Sequence, residues 1–410
     1  MQLAFPRKHV SCYKGFWRDI FKSLFFGTDN IKLIERFERQ FAEYVGVKHA
    51  VAVSSGRWAL YLILKAFNLK ENDEVILPAI THPSIPCIIK KVGANPVFID
   101  IASNSLNLDS KRLLPKISNR TKVIIATHLF GTACDIENIL SIAKGKDINL
   151  IEDCATAFGV EVNGKKVGSF GKAAYFSLET TKLVNTLGGG IITTDDYELY
   201  AQIKNVIGTY KFPTNFKILR KILFFYIQKF YTNRFFFSTA LFPFFRLLDN
   251  FNIDLIQFYK QHRKSRINNY NVRFTAFQAM LGLKQLDMID EAIRKIIENT
   301  RFLKEKLNRI GINYIRINPN IKDIQYIFTL LVNDKNIFSK FLLGKKIDCE
   351  KNILEICPRL FKCEGNFNNS EEFTKKALQI SMNADMNKQD VLYIAKILIA
   401  VSQKYGVYKL

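Results

Sequence analysis

Short apolar runs rich in β-branched residues alternate with helix-like segments along the first half of the chain. Ile34, Phe37, Phe41 and Tyr44 recur at intervals of three or four residues, which predicts an amphipathic helix that ends at Gly46. The runs HAVAV, DEVILPA, NPVFIDI, TKVIIATH and INLIED have the features of buried strands. Because such runs alternate with helices, we predict an α/β fold whose mainly parallel sheet is covered on both faces.

Polar residues follow several of these strands. Ligands of parallel sheets gather at the carboxyl ends of the strands, so these residues are the candidates for function. They are Ser55 and Gly56 after HAVAV, His82 after DEVILPA, Asp153 at the end of INLIED, Ser177 at the end of AAYFS, and Lys182 five residues further on. Each alone has an ordinary explanation: Ser55 or Asp153 could cap a helix, and Lys182 could be a solvated turn lysine. His82 alone could be a packed loop histidine.

Together these residues provide the groups that a pyridoxal 5'-phosphate site requires. The lysine forms a Schiff base with the cofactor. A carboxylate such as Asp153 keeps the pyridine nitrogen protonated, so that the ring withdraws electrons. A flat ring such as His82 covers one face of the cofactor, and the N-terminus of the helix at Gly56 attracts the phosphate. The sequence therefore predicts a cofactor site that contains Lys182.

The composition is that of an ordinary globular protein, and 410 residues are enough for two domains. The N-terminus lacks the continuous apolar core of a signal peptide, and the seven cysteines are scattered. We therefore expect a cytoplasmic protein without a disulfide framework. Cys357 and Cys363 are the closest cysteine pair, but no second pair completes a zinc site, so we predict no metal.

The formal net charge of +23 is unevenly distributed. Between Leu199 and Arg266, 12 lysines and arginines accompany two acids, a local excess of +10. No acidic residue occurs from Leu199 to Leu248, and phenylalanines are interleaved with the basic residues. The longest uncharged stretch, 235–245, has 11 residues, whereas a membrane-spanning helix needs about 20.

Two interpretations of this basic aromatic segment remain open. It either lies on an anionic membrane surface or packs against the protein itself or a second subunit. Nucleic acid is not an expected partner, because no recognised binding motif accompanies the charge.

A series of motifs in order resembles one family. They are FERQFAEYVGVKHAVAVSSG, DEVILPAITHPS, GANPVFIDI, ATHLFGTACDIENI and IEDCATAFGVEVNGKKVGSFGKAAYFS. From about Ile31 to Thr194, and again from Asn271, the chain resembles the DegT/StrS-type pyridoxal phosphate-dependent sugar aminotransferases, which are related in fold to aspartate aminotransferase. The resemblance implies the fold type I architecture. We expect an N-terminal arm over 1–28, a large cofactor-binding domain over 29–289 with the basic insert at about 209–266, and a smaller α+β domain over 290–410.

The resemblance also implies roles for single residues. Lys182 would carry the cofactor and move the proton between substrate and cofactor, and Asp153 would contact the pyridine nitrogen. His82 would stack on the ring. The residues expected at or near the phosphate are Ser55, Gly56, Arg57, Ser177 and, from the neighbouring subunit of a homodimer, Asn271.

The chain departs from the family pattern at several places. Arg57 replaces a usual threonine and could pair with the phosphate. Thr156 replaces a glutamine or histidine near the ring oxygen of the cofactor and could still donate a hydrogen bond there. After the lysine, Leu183 replaces a common asparagine and Leu187-Gly188 a later Gly-Glu pair. Tyr326 lies where a histidine often helps to hold a nucleotide-sugar.

By this resemblance the protein would transfer an amino group from glutamate to a keto-sugar with ping-pong kinetics. The sugar would be carried by a nucleotide or a lipid, in amino-sugar, glycolipid or surface polysaccharide biosynthesis. The enzyme would be a homodimer with shared active sites, and the insert could hold it on the inner face of a membrane. Two alternatives remain: other pyridoxal phosphate chemistry, such as dehydration or amination of a non-sugar, and a membrane-peripheral scaffold that has lost turnover.

Overall fold

The structure, a computed structural model, describes residues 2–23, 29–103, 105–250, 271–308, 314, 320–352 and 354–405. Its strands are β1 His49–Val53, β2 Glu74–Pro78, β3 Ile80–Thr81, β4 Asn95–Ile99, β5 Thr121–Thr127, β6 Asn149–Asp153, β7 Glu161–Val162, β8 Lys165–Lys166, β9 Ala173–Ser177, β10 Gly190–Thr194, β11 Ile321–Lys322, β12 Ile327–Leu331, β13 Glu355–Ile356 and β14 Ala377–Ser381. The predicted alternation with helices is confirmed.

The helices fall between and after these strands. They are α1 Phe16–Ser23, α2 Ile31–Val45, α3 Gly56–Ala66, α4 Ser84–Lys91, α5 Ile136–Gly145, α6 Tyr197–Gly208, α7 Asn215–Thr232, α8 Arg234–Phe236, α9 Phe242–Asn250, α10 Ala276–Leu286, α11 Ile289–Asn308, α12 Lys335–Gly344, α13 Cys357–Leu360, α14 Asn368–Lys376 and α15 Lys388–Tyr405. Short 3₁₀ turns lie at Ser110–Arg112 and Leu114–Lys116, and a π-helical turn at Phe237–Leu241 joins α8 to α9.

A seven-stranded sheet with the order β1-β10-β9-β6-β5-β2-β4 forms the centre of the fold. β4, β2, β5, β6 and β9 pair in parallel, whereas β10 is antiparallel to both β9 and β1. The prediction of an α/β fold with a mainly parallel sheet is therefore confirmed. The parallel arrangement brings the carboxyl ends of β6 and β9 to the same edge, where Asp153 and Ser177 end their strands.

Both faces of this sheet are buried. Ala50 and Ala52 of β1 point into a core that includes Phe37 and Phe41 of α2, while Val51 and its neighbours point into a second core with α3, α4 and α6. This alternation is the two-residue period of a strand. The helix predicted from Ile34 to Tyr44 is α2, and it ends at Gly46, whose positive φ of 88° suits a glycine.

A third core lies around the antiparallel pair of β12 and β14. It contains Phe328 and Leu378 of these strands, Leu303 of α11, Leu398 of α15, and Phe5 from the N-terminal region. Phe5 also pairs with Ile347 in an isolated parallel bridge. The division of the chain into domains at residues 29 and 290 stays a prediction, but this separate core agrees with a smaller C-terminal unit.

The described part of the basic insert forms α7, α8, the π-helical turn and α9, and residues 251–266 of the predicted insert lie outside the described residues. Hydrogen bonds tie it to the rest of the protein: Lys229 Nζ donates to the Val10 carbonyl at 2.8 Å, and Arg234 pairs with Asp390 at 2.8 Å. None of the described helices is both long enough and apolar enough to pass through a lipid bilayer.

Candidate active site

Lys182 lies in the turn between β9 and β10. The Lys182 N–H donates to the Glu179 carbonyl at 2.9 Å, which places the lysine after a tight bend. The N–H groups of Thr186 and Gly188 both donate to the carbonyl of Leu178, at 3.0 and 3.2 Å. These two bonds hold the end of the turn against Leu178, where the turn begins. The backbone of the turn therefore fixes the position of Lys182.

The Lys182 amine has a pKa well below that of an ordinary lysine. Burial lowers the pKa from 10.5 to about 8, although the charges of Asp153 and Glu179 act in the opposite direction. Near pH 8, about half of the amine is therefore neutral. A neutral lysine amine is the form that attacks a carbonyl, so this lysine is chemically activated.

Asp153 is the buried last residue of β6, and its register partner in β9 is Tyr175. Its Oδ1 accepts the Ala155 N–H at 3.0 Å. Burial raises the pKa of Asp153, whereas the Tyr175 hydroxyl, the Ala155 N–H and the Lys182 charge lower it. The Tyr175 hydroxyl lies close enough to lower this pKa, although it makes no hydrogen bond of standard geometry among the described residues.

The N-terminus of α3 lies against the ends of β9 and β10. Ser55 is the N-cap of α3, because its Oγ accepts the Trp58 N–H at 3.1 Å, so the capping interpretation of Ser55 is correct. A Cβ at Gly56 would lie 3.3 Å from the side chain of Ser177, and a Cβ at Gly190 would collide with the Gly56 nitrogen. Two glycines thus let the first turn of a helix approach two strand ends, an arrangement suited to a phosphate.

The Thr156 hydroxyl is engaged within the protein. It donates to the His128 carbonyl at 3.0 Å and accepts the Phe130 N–H at 3.0 Å. Because a hydroxyl has a single proton, Thr156 cannot also donate to a cofactor in this arrangement. The expected hydrogen bond from Thr156 to the ring oxygen stays a prediction, and it would require the hydroxyl to turn away from the His128 carbonyl. Thr156 fixes the loop after β5.

One cavity brings Thr156, Ser177, Lys182 and Tyr326 together, lined further by apolar residues of 154–158 and 176–184. Tyr326 precedes β12, so the C-terminal part of the chain also contributes to this cavity. Burial raises the pKa of Tyr326, which keeps its hydroxyl protonated and able to donate.

The other predicted residues do not line this cavity. Arg57 lies in the first turn of α3 and is half-buried. His82 is exposed, and its Nδ1 lies 2.7 Å from the Ser84 Oγ and 3.2 Å from the Ser84 nitrogen. Asn271, expected to act in a neighbouring subunit, is exposed. The proposed roles of these three residues stay predictions.

The sequence analysis missed a buried polar cluster next to Asp153. The Glu152 carboxylate accepts the N–H groups of Gly168, Phe170 and Gly171 at 2.7–2.8 Å and lies 3.2 Å from the His128 Nε2. One ligand atom each of His128, Glu152 and Cys154 lie within 4.8 Å of one another, a spacing at which the three residues could together ligate a metal. Burial raises the pKa of the Cys154 thiol well above its ordinary value, which disfavours the thiolate that binds metals. Glu152 thus holds the loop before β9.

The insert also reaches the turn that carries Lys182, which no sequence pattern indicated. The Nζ of Lys221 in α7 lies 3.8 Å from where a Cβ at Gly188 would be, and Glu179 Oε2 lies 4.0 Å from the same point. Leu187 shares a buried cluster with Ile218 and Phe225 of α7. Through these contacts α7 packs against the turn that carries Lys182.

Residues 26–399 match the family described as the DegT/DnrJ/EryC1/StrS aminotransferase family. The chain belongs to this family. The resemblance stated from the motifs is therefore confirmed over nearly the whole chain.

Two curated relatives indicate the range of this similarity. The chain is 33% identical over 280 residues to the GDP-perosamine synthase of Caulobacter vibrioides, which covers 68% of this chain and 63% of that protein. It is 44% identical over 178 residues to the dTDP-3-amino-3,6-dideoxy-alpha-D-galactopyranose transaminase of Aneurinibacillus thermoaerophilus, covering 43% and 49%. The matched regions thus span less than two thirds of these relatives' own lengths.

The fold agrees with that of a solved relative. The PLP form of the putative sugar aminotransferase Spr1654 from Streptococcus pneumoniae superposes with a TM-score of 0.78 at 20% identity, over 98% of this chain and 99% of that one. At this identity the similarity establishes the fold. The predicted architecture of a large α/β domain with a sugar-aminotransferase fold is confirmed.

Proposed function

We propose that this protein is an aminotransferase that moves an amino group, taken from glutamate, onto a keto-sugar, with pyridoxal 5'-phosphate bound to Lys182. The observation that carries the proposal is the position of Lys182 beside Asp153: a lysine with a pKa of about 8 and a buried carboxylate meet at the same edge of the sheet. Membership of the aminotransferase family and the sugar-modifying relatives support the reaction and the class of substrate.

The residues present fit the cofactor. The Asp153 carboxylate, buried at the end of β6, would pair with the protonated pyridine nitrogen. The phosphate would lie against the first turn of α3, which Gly56 and Gly190 allow to pack closely on the ends of β9 and β10. The residues that would hold the phosphate are Ser55, Gly56, Arg57 and Ser177, with Asn271 from a partner subunit. His82 would cover the ring.

When bound, the cofactor supplies a carbonyl for the donor's amine and a ring that withdraws electrons from the reacting carbon. The remaining steps belong to side chains of this chain. The Lys182 Nζ would take the proton from the reacting carbon of the donor and return it on the way to product, because a group with a pKa near the working pH does this best. Tyr326, protonated at the cavity wall, would donate a hydrogen bond to the sugar. The sugar could be carried on a nucleotide or a lipid.

A homodimer is part of the proposal. Asn271 is exposed in the single chain and would complete the phosphate site of a second subunit. The expected location is the cytoplasm, at the inner face of a membrane. All seven cysteines are free, as is usual in a reducing compartment. For the insert, α7 packs on the protein through one side, and we propose that the aromatic residues exposed on its other side would lie on an anionic membrane.

The test begins with the absorbance of the purified full chain after addition of the cofactor. A visible band that disappears on borohydride reduction, with the modified peptide containing Lys182, is the expected result. Lys182→Ala should abolish the band and lower turnover by at least about 10²-fold, whereas Lys217→Ala, a change at an exposed lysine of α7, should leave both unchanged.

Glutamate should then be converted to its keto acid in a half-reaction without any acceptor, followed by transfer to keto-sugars. Cofactor bound at Lys182 without formation of keto acid would instead favour dehydration or amination of a non-sugar. A colourless protein that does not take up the cofactor would favour the scaffold without turnover.

A further inference from the structure

We propose that the outer side of α7 is a docking surface for an anionic lipid bilayer. This inference deepens the membrane association proposed above by assigning its surface, and it rests on that part of the proposed function. We call the surface the outer stripe, and it comprises Phe216, Leu219, Leu223, Tyr226 and Phe230.

The outer stripe follows from the period of the helix. Its residues recur at intervals of three and four, so on a helix of 3.6 residues per turn they lie along one side. Their exposed fractions range from 39% to 74%. Ile227, also exposed, lies beside them. A helix of a globular protein ordinarily buries such a stripe. Here Trp17 contacts the Tyr226 ring and Phe236 contacts the Phe230 ring, yet every residue of the outer stripe stays exposed.

The opposite side of α7 already has its partners. Ile218 and Phe225 are buried in one cluster with Val10, Phe16 and Leu187. Lys229 also lies toward this side and donates to the Val10 carbonyl. Intramolecular packing therefore accounts for the inner side of the helix. The inner side of α7 packs on Leu187 in the turn that carries Lys182. A membrane bound to the outer stripe would therefore be held close to the part of the protein that carries the lysine.

The charges around the outer stripe identify the partner. Lys217 and Arg220 of α7 and Arg246 of α9 are exposed, and no acidic residue occurs from Leu199 to Leu248. α8 and α9 add the exposed rings of Phe235 and Phe244. Aromatic and aliphatic side chains beside exposed cations are the composition of helices that lie in the headgroup layer of anionic membranes.

A second copy of the chain fits this surface less well. In a two-fold interface the same patch meets itself, so the basic residues of one copy, Lys217 and Arg220 among them, would face the same basic patch of the other. Like charges at such a contact repel each other, and the insert supplies no carboxylate between Leu199 and Leu248 to neutralise them. Anionic lipid headgroups supply that charge. We therefore assign the outer stripe to a bilayer.

The experiment is flotation of the full-length protein with phosphatidylcholine vesicles that contain either no anionic lipid or about 30% phosphatidylglycerol. We expect flotation with the anionic vesicles, and much less with the neutral ones. The double variant Leu219→Ser/Leu223→Ser should bind at least about tenfold more weakly, because each buried leucine contributes strongly to partition into the interface. Arg220→Ala should weaken binding about fivefold. Leu114→Ser is the matched control, because Leu114 is equally exposed but lies far from the insert in sequence.

Several results would overturn the assignment. The wild-type protein could fail to float, or float equally with neutral vesicles. The double variant could float normally while its oligomer dissociates in light scattering, which would assign the stripe to a second copy. It could also float normally with a lower melting temperature, which would assign the stripe to internal packing.

The half-reaction with glutamate, followed by absorbance without vesicles, separates this inference from the proposed chemistry. We expect the double variant and the wild type to react at the same rate there. Normal half-reaction without flotation rejects only the docking surface, whereas flotation without half-reaction rejects only the aminotransferase.

Discussion

Asp153 and Lys182 are near enough to each other that the charge of each shifts the pKa of the other. Asp153 ends β6, and Lys182 lies in the turn that follows the neighbouring strand β9. The parallel pairing of these strands brings the two side chains to one edge of the sheet. Burial opposes both charges, and their mutual attraction partly offsets it.

The first prediction concerns the pH dependence of Lys182. Only the neutral amine reacts with the cofactor carbonyl, so the rate of attachment to the cofactor-free protein should rise with pH and level off above a midpoint of about 8. Folding lowers this pKa from 10.5, so the unfolded chain binds more protons between about 8 and 10.5. The contribution of Lys182 to the free energy of unfolding should therefore increase with pH across that interval.

Asp153→Asn should move the midpoint of attachment to a lower pH, because the Asp153 carboxylate raises the Lys182 pKa. Stopped-flow absorbance at a series of pH values measures the shift. Asp196→Asn is a suitable control, since Asp196 caps α6, where asparagine can also cap, and its other oxygen pairs with Lys172 rather than with Lys182. An unchanged or higher midpoint in Asp153→Asn would contradict the electrostatic coupling.

The second prediction concerns the contact between Gly190 and α3. Gly190→Ala places a Cβ against the backbone nitrogen of Gly56, and backbone cannot move aside as a flexible side chain can. We expect the free energy of unfolding to fall by about 1–3 kcal/mol, and cofactor affinity to fall with it. Urea denaturation and cofactor titration measure the two effects. Gly145→Ala, at a helix end with open space around it, should leave both nearly unchanged.

The third prediction concerns Leu187, which is buried and has a positive φ of 59°. Leu187→Ala removes buried contacts and keeps the unfavourable backbone conformation, so we expect a loss of about 2–4 kcal/mol. Leu187→Gly removes the same contacts but suits a positive φ. The glycine variant should therefore be the more stable of the two, by up to about 1 kcal/mol. The opposite order in urea denaturation would show that the backbone conformation contributes no strain.

The fourth prediction concerns Thr156, whose hydroxyl joins the His128 carbonyl to the Phe130 N–H. Thr156→Val leaves both backbone groups without this partner, and we expect a loss of about 1–3 kcal/mol. Thr156→Ser keeps the hydroxyl and should retain most of the stability. If valine and serine behave alike in thermal unfolding, the bridge by the hydroxyl contributes little.

The sequence was sufficient for much of the fold. The apolar spacing of α2 predicted the helix, and the glycine after it predicted its end. Both signals depend only on residues close together in the sequence: an apolar face with the period of a helix, and a glycine that adopts the left-handed conformation. The buried runs predicted the strands in the same way. The candidate residues Asp153, Ser177 and Lys182 could be selected because the carboxyl ends of parallel strands are identifiable once the strands are known.

Other parts of the site depended on contacts between distant segments. The sequence does not show that the Thr156 hydroxyl bonds the His128 carbonyl and the Phe130 N–H, because every residue has these backbone groups and no sequence pattern marks which of them a hydroxyl meets. The sequence analysis also missed that the Glu152 carboxylate accepts the backbone N–H groups of 168, 170 and 171, because backbone donors are not marked by any residue type.

The sequence by itself determined that α7 would be apolar, aromatic and basic, since these are properties of composition and spacing. Only the tertiary structure decided that Ile218 and Phe225 face Leu187 while Leu219 and Leu223 remain uncovered. The period of a helix states which residues share a side, but a helix with apolar residues on both sides can be packed through either. Which side of α7 is buried depends on the surface that the rest of the folded protein offers to the helix. Here that surface includes Leu187, in the turn that carries Lys182.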